Sequence, residues 1–458
     1  LVITGLVLAL LVGGGAWYLG PIGPIATGYA AQIGCGAHLV SGRPLDAAVS
    51  DLPDNPLVPF LRVTAQDASV RATLLGAYES VAVVTDDGGC RLVDPADAPA
   101  LATVTPAALQ ASGVDDLEVP AAPTDAAEEH GFDTAALQAA VDGPFAEDDD
   151  PETVVGTRAV VVVHEGTVVA ERYVDGFDAD TPLLGWSMTK SIGNAIVGTL
   201  VRDGALSIED DDLWPGWSDS DPDDPRRAIT LEQALTMTDG LAFEEVYDPG
   251  TDATRMLFTP GDTAAYAADQ PLVADPGTRW AYSSGTTNLV CDVAARADGG
   301  DAATLAARRV FGPLSMTSAT LGTDASGDPV CSSYGYATAR DWARFGQLYL
   351  QDGVWGGERL LPEGWVAFSR TPVQLPTEQP YGAQFWLNAD ADGRVRMPSV
   401  PQDAFWASGN EGQQVVVLPS DGLVVVRLGL TRGYDGIDWG LEPLLAGVLG
   451  AAPDEESS

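Results

Sequence analysis

The chain has almost no lysine. Of its 23 basic residues one, Lys190, is lysine, and the others are arginine. Histidine is nearly as scarce, at positions 38, 130 and 164. The four cysteines (35, 90, 291 and 331) show no C-x-x-C spacing. Neither residue type therefore offers a zinc-ligand pattern, and no metal or other cofactor is expected. Basic charge as a whole is short. Sixty-six acidic residues leave a net charge of −43, which excludes nucleic acid as a partner and makes anionic lipid headgroups poor ones. Such a surface repels itself at low ionic strength, and salt eases that repulsion.

Long apolar runs are also missing, except at the start. Residues 1–19 are apolar and uncharged, with Trp17 and Tyr18 where interfacial aromatics would lie. About 20 apolar residues suffice to cross a bilayer. A transmembrane anchor or an export signal is expected here, with Gly20, Pro21 and Gly23 breaking the run. The remainder is then expected to face the periplasm or cell exterior, tethered to the membrane through residues 1–19 or secreted after cleavage. Cys35 and Cys90 could pair in such an oxidising compartment. Cys291 reads as a small buried hydrophobe in a helix.

Hydrophobic residues make up 45% of the chain, as in folded proteins. Residues 20–134 read as an accessory segment ending in an acidic linker. Within it Ser80–Val84 and Cys90–Val93 flank a hairpin turn, and Val119–Glu129 carries prolines and acids. The main domain is expected over 135–450, with a disordered tail at 451–458. It opens with a hairpin, Ala159–Val163 and Thr167–Tyr173, and closes with another, Gln413–Leu418 and Leu423–Leu430. Helical patterns lie between them. The fold class is therefore α+β, with the terminal strands sharing one antiparallel sheet.

The sole lysine stands three residues after a serine, in Ser187-Met188-Thr189-Lys190. Ile192, Ala195, Ile196 and Thr199 follow at helical spacing, and Gly204 stops the helix. Ser187 then sits in a helix's first turn, where free N–H groups favour a developing anion. Lys190 projects from the same face. Arginine stays protonated near neutral pH, whereas a buried lysine can become a neutral base and take the serine proton. Gly185-Trp186-Ser187-Met188-Thr189 nearly matches the G-x-S-x-G elbow, but Thr189 replaces its last glycine. All three histidines precede Ser187, against that fold's order of serine, acid, histidine.

Across roughly residues 155–445 the chain resembles the β-lactamase-related serine hydrolases: class C β-lactamases, D-alanyl carboxypeptidases, related esterases and 6-aminohexanoate-dimer hydrolases. Besides the Ser187–Lys190 motif, Ile229–Leu235 leads to Thr236-Met237-Thr238-Asp239-Gly240-Leu241, similar to the family's T-S-G-L stretch. Tyr282-Ser283-Ser284 is similar to its Tyr-x-Asn motif, and Thr338–Tyr349 to a characteristic helix. The resemblance implies a β-lactamase/transpeptidase-like fold, an antiparallel sheet flanked by helices with an all-helical subdomain. It implies Tyr282 as a second acid/base. It places the third motif at Asn410-Glu411-Gly412-Gln413, where the Gln413 N–H would join that of Ser187 as an oxyanion hole. The family's usual cation is missing there, and Glu411 would instead face an amine. Glu244–Pro249 resembles a loop that brings a tyrosine, here Tyr247, over the substrate, and Trp186 would wall the pocket or pack in the core. Acyl transfer from a small-molecule ester or amide to water is the expected activity. A cell-wall D-amino-acid peptidase or β-lactamase, and a non-catalytic tethered binding protein of the same fold, are the alternatives.

Overall fold

The computed structural model describes residues 20–53, 55–86, 88–98, 109, 112–147, 150 and 152–453. Residues 1–19 and the tail after 453 lie outside these. No helix among the described residues is long and apolar enough to cross a membrane.

Three consecutive valine-rich runs explain the centre of the molecule. An apolar run without alternation fits a sheet covered on both faces. The N-terminal segment carries its own antiparallel sheet in the order β1-β2-β3-β4, from Leu61–Gln66, Ser69–Leu74, Tyr78–Val84 and Cys90–Val93. The main sheet begins with β5 (Thr157–His164) and β6 (Thr167–Tyr173). It is completed by β7 (Trp386–Leu387), β8 (Phe405–Gly409), β9 (Gln413–Leu418) and β10 (Leu423–Gly429). Its order is β7-β8-β9-β10-β5-β6, antiparallel throughout, so the first and last strands of the domain pair as the pattern predicts.

Side chains alternate between two cores. Val161, Val163, Val415, Val417, Val424 and Val426 face the helices Thr189–Arg202 and Ala339–Leu350. Val160, Val162, Val416, Leu418 and Val425 face helices Thr134–Asp142 and Leu441–Ala451 on the other side. Helices Leu231–Leu235, Asp252–Phe258, Thr263–Ala268 and Ser284–Asp298 gather beside Thr189–Arg202 as the helical part.

Four expectations are corrected. Gly20, Pro21 and Gly23 do not interrupt the described structure, since residues 20–35 are helical. The missing side chains let this helix dock, since a Cβ on Gly23 would meet the Tyr78 ring at 2.5 Å and one on Gly28 would collide with the Phe258 carbonyl. The acidic linker contains a helix, Pro123–Glu129, lying against β6. Ala451 belongs to the C-terminal helix and is buried. Cys291 is not a lone hydrophobe, because it is disulfide-bonded to Cys331, as Cys35 is to Cys90. Forty residues separate Cys291 from Cys331, and no local spacing signals that bond.

The N-terminal segment is fastened to the main domain. Asp51 accepts from Arg43 at 2.5 Å and from Arg158 of β5 at 2.6 Å. The Cys35–Cys90 bond joins the end of the first helix to β4.

Candidate active site

Gly185 leads from a short strand into a helical turn, Trp186–Met188, that continues as Thr189–Arg202. Trp186 has φ +47°, a left-handed conformation that costs a bulky residue energy and is held by its surroundings. Its indole N–H donates to Glu411 Oε2 at 3.0 Å, and its ring stacks against Tyr29. Thr189, in the place of the elbow's last glycine, is fully buried. Its hydroxyl donates to the Trp186 carbonyl at 2.6 Å and accepts from Gly335 N–H at 3.0 Å. Further along the helix, Asn194 is anchored by Tyr349 at 2.6 Å and Trp365 at 2.8 Å. The serine thus rides on a tightly held helix.

Lys190 is 1% exposed, and its ammonium has three oxygen partners. It donates to Ser187 Oγ at 3.0 Å, Ser284 Oγ at 3.0 Å and the Ser332 carbonyl at 3.1 Å. Burial lowers its pKa to about 8, against an opposing pull from the Glu245 carboxylate. About one lysine in ten is then neutral at pH 7. Tyr282 lies with its ring centroid 4.8 Å from Lys190 Nζ. Burial, reinforced by Glu245, pushes its hydroxyl well above the usual tyrosine range, so it stays protonated as a donor. Trp386 and Tyr381 pack around that ring.

The structure brings together Ser187, Lys190 and Tyr282 with Ser284, the third position of the Tyr-x-Asn-like motif, and adds Glu245 and Ser332, which no motif singles out. Ser284, the first residue of helix Ser284–Asp298, donates its hydroxyl to Glu245 Oε1 at 2.6 Å and its N–H to Oε2 at 2.7 Å. A carboxylate at a helix N-terminus is favourably placed. Lys190, Ser284 and Glu245 form one chain of hydrogen bonds. Tyr247 joins it, its hydroxyl turned inward to Glu245 at 2.9 Å while the side chain remains 45% exposed. In sequence, two adjacent glutamates give no sign of which one turns inward. Ser332 follows directly on Cys331, and its N–H is held by Asn288 at 3.0 Å, so the second disulfide braces the carbonyl that Lys190 touches.

The third-motif segment is arranged differently from the sequence expectation. Gly412 has φ +79°, and its close approach is to the Arg427 guanidinium and to Thr431, both of which a side chain at this position would strike. Arg427 is fully buried and donates to the Gly412 carbonyl at 2.9 Å. The Gln413 side chain is spent on the turn, donating to Gly429 at 2.7 Å and accepting from it at 2.9 Å. Glu411 meets Trp186 and Arg432 rather than open space, and burial raises its pKa. Asn410 is exposed. β8 lies beside the nucleophile turn: a Cβ on its Gly409 would collide with the Gly185 carbonyl.

Among the described residues two clusters group three possible metal-ligand side chains, His130–His164–Glu165 and Asp262–Asp324–Asp328. Neither shares a residue with this site.

A family profile described as Beta-lactamase matches residues 145–435. The 6-aminohexanoate-dimer hydrolase of Paenarthrobacter ureafaciens is 26% identical over 316 residues, which are 62% of this chain and 76% of that protein. A Bacillus anthracis structure, provisionally assigned as a 6-aminohexanoate-dimer hydrolase, superposes with a TM-score of 0.53 at 22% identity, covering 65% of this chain and 79% of its own. A family VIII carboxylesterase superposes at 0.52 with 18% identity, over 68% of this chain and 96% of its own. The fold is β-lactamase/transpeptidase-like, with mixed helices and antiparallel sheet.

Proposed function

Because the chain belongs to the Beta-lactamase family of serine hydrolases, we propose that it cleaves an ester or small amide through an acyl-enzyme on Ser187. The observation that carries this reading is the buried Lys190, in hydrogen-bond contact with Ser187 and with a pKa lowered to about 8. In its neutral form Nζ takes the Oγ proton as Oγ bonds to the substrate carbonyl carbon. The resulting oxyanion is met by the Ser187 N–H and by a backbone N–H of the third-motif segment, the Gln413 N–H among the candidates. When it collapses, the bond to the leaving group breaks and Tyr282 passes a proton to the departing atom. Lys190 restores the Tyr282 proton. Water then attacks the ester carbon by the same route and releases the acid. Trp186 and Tyr247 border the substrate, and Glu245 orients Lys190 through Ser284.

The name of the Paenarthrobacter relative points to a small amide, and that of the carboxylesterase to an ester. The third-motif segment Asn410–Gln413 carries no cation for a substrate carboxylate, and Arg432 beside it is engaged by Glu411 and by the Asp51 carbonyl. Short p-nitrophenyl esters should therefore be hydrolysed readily and nitrocefin poorly. Efficient nitrocefin turnover would instead mark a β-lactamase. Residues 1–19 carry the domain to the membrane or beyond it, and the two disulfides favour the same oxidising side.

A further inference from the structure

A cavity of about 410 Å³ lies between the N-terminal segment and the catalytic domain. One wall is Ile22, Ile25 and Tyr29 of the first helix with Leu57 and Val58 before β1 and Leu61 at its start. The other includes Trp186, Tyr247, Phe258 and Asn410. These last residues tie it to the chemistry. Trp186 precedes the nucleophile, and Tyr247 hydrogen-bonds the Glu245 that holds Ser284 and, through it, Lys190. Ser187, Lys190 and Tyr282 do not themselves line the cavity.

The lining is apolar over most of its area and contains no lysine, arginine or histidine. Its two carboxylates are Glu411, bound to Trp186, and Asp248, in the Tyr247 loop. An anionic tail would find no cation here. A neutral hydrocarbon chain would replace water against the aliphatic and aromatic side chains of the N-terminal segment, and the volume is that of an ordinary ligand pocket.

We infer that this cavity is the acyl-chain pocket of the enzyme, half of it supplied by the N-terminal segment, and that the substrate carries an uncharged aliphatic acyl group. The inference rests on the hydrolase reading above and adds the class of substrate. Alkyl acetates, which carry the chain on the leaving group, distinguish the acyl side from the leaving-group side.

The test uses the full chain with p-nitrophenyl esters from acetate to octanoate. Each methylene that enters the pocket should raise kcat/KM by about fourfold, the factor to which ~0.8 kcal/mol per buried CH₂ converts. Ala26→Trp, which fills the cavity from the first helix, should lower the octanoate-to-acetate ratio at least tenfold. Leu57→Asn, before β1, should lower it in the same direction, and it serves where the tryptophan variant does not fold. A flat profile in the unaltered protein, or ratios unchanged in folded variants, would overturn the pocket. A length dependence seen only in alkyl acetates would overturn the acyl assignment. Fluorophosphonate labelling of Ser187 is read in parallel. Labelling with a flat profile removes the pocket and leaves the hydrolase reading, whereas absent labelling and hydrolysis remove the reading itself.

Discussion

At the residue scale the account turns on one amine. The sequence keeps a single lysine, and the structure buries it against the serine three positions earlier. Arginine at this position would keep the charge and could not become a neutral base. Lys190→Arg should therefore lose as much kcat as Lys190→Ala, at least 10²-fold for a general base. Recovery of most of the rate in the arginine variant, measured on a p-nitrophenyl ester, would make Lys190 an electrostatic prop. Ser187 and Lys190 are legible in the sequence because chemistry at a helix start obeys local spacing. Tyr282 comes from a motif. Glu245 is not legible as a site residue, because its role depends on a loop crossing to the start of a helix that begins 39 residues later.

At the scale of elements, Glu245 links that loop to helix Ser284–Asp298 and acts on Lys190 from a distance. Its charge raises the lysine pKa, against the larger lowering by burial. In the proposed mechanism the catalytic form is the neutral amine, so activity should rise with pH as the lysine deprotonates through about 8. Glu245→Gln keeps an oxygen for the Ser284 N–H but removes the charge. The lysine pKa should fall, and the rising limb of the kcat/KM profile should move to lower pH. A limb that stays in place while only the amplitude drops would assign Glu245 a purely structural role. The hairpins β5–β6 and β9–β10 are readable because their valine runs and turns are local signals. β8 and β9 both lie against the nucleophile turn, and the third motif joins them. Phe405–Gly409 lacks the long valine run that marks its neighbours, and its place is fixed by Gly409 meeting the Gly185 carbonyl.

At the scale of the whole molecule, the N-terminal segment is part of the catalytic body rather than an appendage. Tyr29 against Trp186, Asp51 against Arg158 and Gly28 against the Phe258 carbonyl all join it to the main domain. None of these contacts follows from sequence periodicity, since each joins residues more than 100 positions apart. The segment also holds the Cys35–Cys90 bond, which suits an oxidising compartment. A phosphatase-type reporter fused to the C-terminus should accordingly be active outside the cytoplasm, and a signal from a cytoplasmic reporter would refute that placement. The acidic surface is compatible with either a tethered or a released form, because counterions screen its self-repulsion.

The central claim is that Ser187 is a nucleophile activated by a neutral Lys190. Intact-mass measurement of the full chain treated with a small fluorophosphonate across a pH series tests it most directly. The account predicts one adduct, mapped to Ser187, absent from a folded Ser187→Ala variant, and formed faster as pH rises through about 8. Undiminished labelling in Ser187→Ala, or a Ser187 labelling rate with no dependence on pH across that range, would contradict it.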